Sequence, residues 1–171
     1  MNSMSKEQLR QMVLAARPKD SAGIESQLAK MVGELEPKTI ASFQPLPSEP
    51  QLQKFNLAAA TKFQLVFPRI AGLTLEFAAG SLRPGSLGIL EPSGESVSDI
   101  DLILVPALAV DLVGNRLGRG RGFYDRALSD FPNALKYAVV FDDEVFPKIP
   151  TDPWDEKVSG AVTPKRTIKF D

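Results

Sequence analysis

The 171-residue sequence contains no cysteine and no histidine. Without cysteine there are no disulfides, no zinc fingers and no thiol nucleophile. Without histidine there is no Ser-His-Asp triad, no imidazole base and no imidazole metal ligand. Acid–base or metal chemistry therefore falls to carboxylates, lysine and tyrosine, and hard cations such as magnesium are the metals that such ligands suit. A strong net charge is also missing: 20 Lys and Arg against 21 Asp and Glu leave −1, which argues against a nucleic-acid partner, although local basic patches can exist. No apolar run approaches the roughly 18 residues that span a bilayer. The opening Met1-Asn-Ser-Met-Ser-Lys-Glu7 lacks the apolar core of a secretory signal. These absences lead to the expectation of a cytoplasmic protein with no membrane partner.

What is present is an ordinary globular composition, 43% hydrophobic and 24% charged. A chain of this length is expected to form one domain over residues 1–171, burying about 70% of its unfolded surface. Ser3 or Ser5 can cap a first helix with Leu9, Met12, Val13 and Ala16 on its apolar face. Lys6 and Arg10, four residues apart, project from one side of it. A second helix follows Asp20 or Ser21 and buries Ile24, Leu28, Met31 and Val32, with Pro37 marking the exit. Thr39 to Phe43 reads as a short strand, followed by a proline-punctuated loop carrying Glu49. A helix is expected over Gln51 to Ala60. The alternation of Phe63, Leu65 and Phe67 predicts a strand stopped by Pro68, and Leu73, Leu75 and Phe77 predict a neighbour. The segment from Arg83 to Pro92, with Glu91 near its end, reads as a connection across the sheet.

Ile100-Asp-Leu-Ile-Leu-Val105 has the nearly continuous apolar character of a parallel strand covered on both faces. Ligand loops in such sheets leave from the carboxyl ends of strands. There the chain runs through the apolar Pro106-Ala-Leu-Ala-Val-Asp111 into Arg116-Leu-Gly-Arg-Gly-Arg-Gly-Phe-Tyr-Asp-Arg126. Glycines on alternate positions free the backbone to present N–H groups to an anion, and interleaved arginines supply the charge that a polyphosphate needs. Tyr124 and Asp125 open a helix expected to reach Phe131, Tyr137 to Phe141 forms the next buried strand, and Gly160 to Thr163 forms the last. The loop is neither a P-loop nor a dinucleotide fingerprint, although Asp142 imitates the ribose-binding acid of the latter. A solvated glycine-rich turn, an arginine–glycine RNA-binding segment and a nicotinamide oxidoreductase are the competing readings of these residues.

The run Asp101-Leu-Ile-Leu-Val-Pro-Ala-Leu-Ala-Val-Asp111 followed by Gly114-Asn-Arg-Leu-Gly-Arg-Gly-Arg-Gly-Phe-Tyr-Asp125 resembles the signature of 5-formyltetrahydrofolate cyclo-ligase, also called methenyltetrahydrofolate synthetase. Lys6-x-x-Leu-Arg10, Phe67-Pro-Arg-Ile70, Gly88-Ile-Leu-Glu-Pro92 and Pro150-x-x-x-x-Asp155-x-x-Val158 fall in the family's order. The resemblance implies an open, mostly parallel α/β sheet with helices on both faces, of the NagB/RpiA/CoA-transferase-like kind. It implies ATP- and magnesium-dependent conversion of 5-formyltetrahydrofolate to 5,10-methenyltetrahydrofolate, with release of ADP and phosphate. A monomer is the expectation for the assembly. Position by position, it assigns Lys6, Arg10 and the segment Arg116, Leu117, Gly118, Arg119, Gly120, Arg121, Gly122, Phe123 and Tyr124 to ATP, with Arg10, Arg116 and Arg119 catalytic. Phe43, Glu49 and the Gly118 to Gly122 portion fall to the folate, and Asp125 and Asp155 to magnesium. A non-catalytic relative that binds nucleotide or RNA is the alternative. Phe123, Val110 and Trp154 depart from the usual motif without removing a charge, which implies altered packing or folate affinity rather than lost activity.

Overall fold

The computed structural model describes residues 3–171. In chain order it contains α1 (Lys6–Ala16), α2 (Ile24–Leu35), β1 (Thr39–Ala41), α3 (Gln53–Ala59), β2 (Gln64–Ala71), β3 (Thr74–Ala78), β4 (Leu82–Pro84), β5 (Leu90–Pro92), β6 (Leu102–Pro106), β7 (Ala109–Asp111), β8 (Arg116–Leu117), α4 (Phe123–Leu128), β9 (Leu135–Val139), β10 (Val145–Phe146), β11 (Gly160–Val162) and β12 (Thr167–Lys169). Seven strands form the main sheet in the order β12-β11-β9-β6-β1-β2-β3. Its five inner strands are mutually parallel, and β12 and β3 close the edges antiparallel. No helix among the described residues is long and apolar enough to cross a membrane.

Strand β6 shows why the sheet is covered on both sides. Leu102, Ile103, Leu104 and Val105 are all fully buried, and because side chains alternate faces along a strand they divide between two cores. Leu102 and Leu104 join Ile24, Leu28 and Met31 of α2 and Phe55 of α3. Ile103 and Val105 join Phe77, Leu128 and Val158 on the opposite face. Each such side chain contributes roughly 1.5–3 kcal/mol through burial. A third, smaller core packs Leu9 and Val13 of α1 onto Leu108, Ala109, Leu117 and Ile149. That contact seats α1 over the carboxyl end of the sheet, beside the glycine–arginine loop.

Several boundaries differ from the sequence expectation, each for a local reason. Ser5 caps α1 through a reciprocal box with Gln8. Met12 is exposed and so is Ala16, because α1 touches the third core along Leu9 and Val13 alone. Pro68 does not stop β2, which runs on to Ala71. β1 ends at Ala41, paired with Val66, so at Pro68 the strand has a partner only on the β3 side and a missing N–H breaks no ladder. The segment 82–92 does not cross the sheet. It is a hairpin, β4 against β5, whose base is pinned by Arg69, which donates to Glu76 (2.7 Å) and to the carbonyls of Pro92 and Gly94. The hydrogen bond from Ser96 and the ion pair with Arg69 hold the Glu76 carboxyl below its ordinary value. The helix expected to reach Phe131 ends at Leu128, and β7, β8, β10 and β12 are elements that the apolar pattern does not mark.

Gly160, between β9 and β12, has no room for a side chain. A Cβ there would lie 2.3 Å from the Ile168 carbonyl oxygen and 2.4 Å from Tyr137 Cε1. Gly160→Ala is expected to cost about 2 kcal/mol by overpacking and to lower the thermal midpoint by roughly 5 °C. A melt within a degree of wild type would show that the strand shifts freely.

Candidate active site

The loop expected to hold an anion leaves the short β7–β8 unit and curls back over the carboxyl end of β6. The three alternate glycines serve different ends. Gly120 (φ 107°) and Gly122 (φ 73°) occupy the left-handed region that side chains rarely adopt. Gly118 does not; a Cβ there would come within 2.9 Å of Arg116 Nη1. Arg10 reaches down from α1 and donates Nε–H to the Gly118 carbonyl at 2.8 Å, with its guanidinium lying over Gly120. The helix cation is thereby fixed to the loop.

Every residue expected at the site lines a single cavity of about 1110 Å³, from Lys6 and Arg10 through Phe43, Glu49 and the whole of 116–125 to Asp155. Within it, cations and carboxylates meet in pairs. Arg116, with a side chain 3% exposed, donates Nη2–H to Asp125 Oδ1 at 3.0 Å. Arg119 Nε–H faces Glu49 Oε1 at 3.4 Å while its Nη2 reaches Ser48 Oγ at 3.0 Å. Lys6 Nζ donates to Asp155 and to Asp152 at 2.6 Å. Burial pulls the Lys6 ammonium down, but the hydrogen bonds and charges of the two aspartates outweigh it, so its pKa is raised and it stays charged across the neutral range. Arg121 stands exposed at the rim.

Asp125 and Asp155 lie on touching segments: the N–H of Glu156 donates to Asp125 Oδ1 at 3.1 Å. No three Asp or Glu side chains among the described residues converge as a cage for an ion. That donor set still fits magnesium, which keeps several waters and takes one or two carboxylates together with substrate phosphates. Among the described residues, the buried Tyr124 hydroxyl and Arg116 Nε have no hydrogen-bond partner. Burial pushes the Tyr124 phenol well above its ordinary value, the Glu49 charge adds to this and Arg116 opposes it.

The cavity also has walls that the sequence did not mark. Leu87, Ile89, Leu90 and Glu91 of the β4–β5 hairpin close one side, with Leu87, Ile89 and Leu90 presenting exposed apolar surface. Asp152 is a second carboxylate for Lys6, and its only sequence signal is its place three residues before Asp155. Trp154, the chain's one tryptophan, stands 71% exposed on the same wall.

Fold and site together define an α/β protein with an arginine-lined cleft at the carboxyl end of a parallel sheet, where sheets of this kind hold their ligands. The sequence model of the 5-formyltetrahydrofolate cyclo-ligase family matches residues 2–164, and the chain belongs to that family of enzymes. It is 35% identical to the 5-formyltetrahydrofolate cyclo-ligase of Mycolicibacterium smegmatis across 98% of each chain. It is 38% identical to the Mus musculus cyclo-ligase over 47% of this chain and 41% of that one. The NMR structure of Aquifex aeolicus 5,10-methenyltetrahydrofolate synthetase superposes with a TM-score of 0.84 at 30% identity, covering 96% of this chain and 92% of the other. The synthetase from Mycoplasma pneumoniae shares the fold, with a TM-score of 0.75 at 22% identity, over 94% of this chain and 99% of that one.

Proposed function

We propose that the chain uses ATP to convert 5-formyltetrahydrofolate to 5,10-methenyltetrahydrofolate, releasing ADP and phosphate. The observation that carries the reading is the single cavity in which Lys6, Arg10, Arg116 and Arg119 converge with Glu49, Asp125 and Asp155. Without histidine or cysteine, the site has the means for phosphoryl transfer, which asks for positioning and charge neutralisation more than for a base.

In the first step the formyl oxygen attacks the γ-phosphorus, the β–γ bridging bond breaks and ADP leaves. In the second, N10 of the folate attacks the activated formyl carbon, loses its proton, and phosphate departs with the original formyl oxygen. Arg10, Arg116 and Arg119 share the charge that develops on the transferred phosphoryl group. Lys6 and the backbone of Leu117 to Tyr124, including Arg121 and Phe123, hold the triphosphate. Glu49 and Phe43 orient the pterin, with Gly118 to Gly122 between the two substrates. Asp125 and Asp155 would hold magnesium, which when bound neutralises phosphate oxygens. The pairing of Lys6 with Asp155 and of Arg116 with Asp125 supports this, since it sets cations suited to phosphate beside the carboxylates suited to the metal. We place the enzyme in the cytoplasm as a monomer, with these two small molecules as its partners and neither nucleic acid nor membrane among them.

The test is direct. Purified protein with 5-formyltetrahydrofolate and MgATP should form the methenyl chromophore and ADP in equal amounts, and absence of both products would defeat the reading. Trp154 gives a readout without turnover. MgATP titrated into the free protein should produce a saturable change in its fluorescence, because the indole stands beside Asp155 on the cavity wall. An unresponsive spectrum at saturating MgATP would place the nucleotide away from this wall.

A further inference from the structure

Arg17 lies outside the cavity and closes α1 as its C-cap residue. Its side chain is 3% exposed and its partner Glu144 5%, so this is a buried ion pair at the back of the site. Nε and Nη2 of Arg17 form a two-pronged contact with the Glu144 carboxylate at 2.7 and 3.2 Å. Glu144 is itself held by the Phe141 N–H at 2.9 Å, and the Arg17 guanidinium lies 5.5 Å from the Phe141 ring. The donors left over are spent on backbone. Nη2 also reaches the Ala107 carbonyl at 2.6 Å, and Nη1 the Ser48 carbonyl at 3.3 Å.

Those two carbonyls belong to the two segments that frame the substrate side of the cavity. Ser48 precedes Glu49, and its hydroxyl receives Arg119 Nη2. Ala107 follows Pro106, whose own carbonyl receives Arg116 Nη1 at 3.4 Å. Successive carbonyls of the strand exit are thus gripped by two arginines, one inside the cavity and one behind it. A planar guanidinium with five fixed donors can join a carboxylate and two backbone segments at once, whereas an ammonium cannot satisfy that fan of directions.

We infer that Arg17, held by Glu144, is a positioning residue that sets where Glu49 stands in the cavity, and through it the binding of the folate. The inference rests on the folate reading proposed above for Glu49. It concerns the folate more than the nucleotide because Lys6 and Arg10 are placed by a separate contact, the packing of Leu9 and Val13 onto Leu108, Leu117 and Ile149. A bulk structural role for the pair would predict something else. Replacing a buried ion pair by apolar side chains of similar size is often neutral for stability, so stability and positioning can be pulled apart.

The experiment uses Arg17→Lys and the double variant Arg17→Met/Glu144→Met in the full chain. For each, the thermal midpoint, kcat, and KM for 5-formyltetrahydrofolate and for ATP are measured, with calorimetric Kd values for both ligands. The expected result is a rise of at least about tenfold in KM and Kd for the folate, corresponding to roughly 1.4 kcal/mol. The ATP constants should stay within about twofold, and the double variant should melt near wild type. Unchanged folate constants in a folded variant would overturn the inference, and so would equal losses for both ligands. Failure of both variants to fold would also overturn it, since the pair would then be a stability element. A wild-type protein that binds the folate without turning it over would defeat the catalytic reading alone, and the Kd ratios would still decide the role of Arg17.

Discussion

Asp125→Asn is expected to lower turnover by about a thousandfold while leaving a folded protein. The carboxylate oxygen of Asp125 accepts from Arg116 Nη2 and from the Glu156 N–H, and an asparagine carbonyl oxygen keeps both contacts. What it loses is the charge assigned to magnesium, and charge stabilisation of that kind is worth several kcal/mol, about 4 for a thousandfold change. Asp125→Ala should be worse in a second respect. The Arg116 side chain is only 3% exposed, and removing the partner of a buried cation costs about 3 kcal/mol, or roughly 6–10 °C in thermal midpoint for a chain of this size. Initial rates across a magnesium series, measured beside melting curves, separate the two effects. Asparagine turnover within tenfold of wild type would remove Asp125 from the metal assignment.

Arg10→Ala carries the second large effect, of the opposite kind: about a thousandfold in kcat with little change in stability. The guanidinium lies over Gly120, tied to the Gly118 carbonyl, where a transferred phosphoryl group would pass. An arginine in that role is worth 10³ or more in rate. Alanine is the strongest helix former, and the carboxylate paired with Arg10 among the described residues, Glu7, is 68% exposed at 3.5 Å, a contact of little worth. The Gly118 carbonyl loses one hydrogen bond, worth about 1 kcal/mol, so the thermal midpoint should fall by only about 2–4 °C. Arg10→Lys should recover only a small part of the rate, because an ammonium keeps the charge but not the planar fork. A variant whose KM for ATP rose while kcat held would make Arg10 a uniform binder of nucleotide and not a stabiliser of the transition state.

The site was legible in the sequence wherever its residues are near one another along the chain. Glycine and arginine alternate within eleven residues from Arg116 to Arg126, and the spacing of Lys6 and Arg10 puts both on one helix face. The apolar run into the loop also foretold its burial, since Ala107 to Asp111 are all buried. Legibility stopped where a contact spans the chain. Lys6 and Asp152 are 146 positions apart, Arg17 and Glu144 are 127, and Arg119 and Glu49 are 70. No periodicity reports such pairs. The hairpin 82–92 is not legible in the sequence because its prolines and glycines break the alternation by which strands are recognised. Pro68 looks like a stop in the sequence because nothing local says that its neighbour β1 has already ended.

The sequence by itself determined the chemistry available to this protein: arginines, lysines and carboxylates in place of histidine and cysteine, a loop able to meet an anion, and the order of the helices and of the inner strands of the main sheet. These are properties of residue type and short-range spacing, which a chain carries before it folds. The tertiary structure alone decided that α1 would settle over the carboxyl end of the sheet and that Lys6, Arg116 and Arg119 would each meet a carboxylate. It also decided that a buried arginine would brace the cavity from behind. Those outcomes depend on which apolar faces pack together, and only packing brings residues more than a hundred positions apart to within hydrogen-bonding distance.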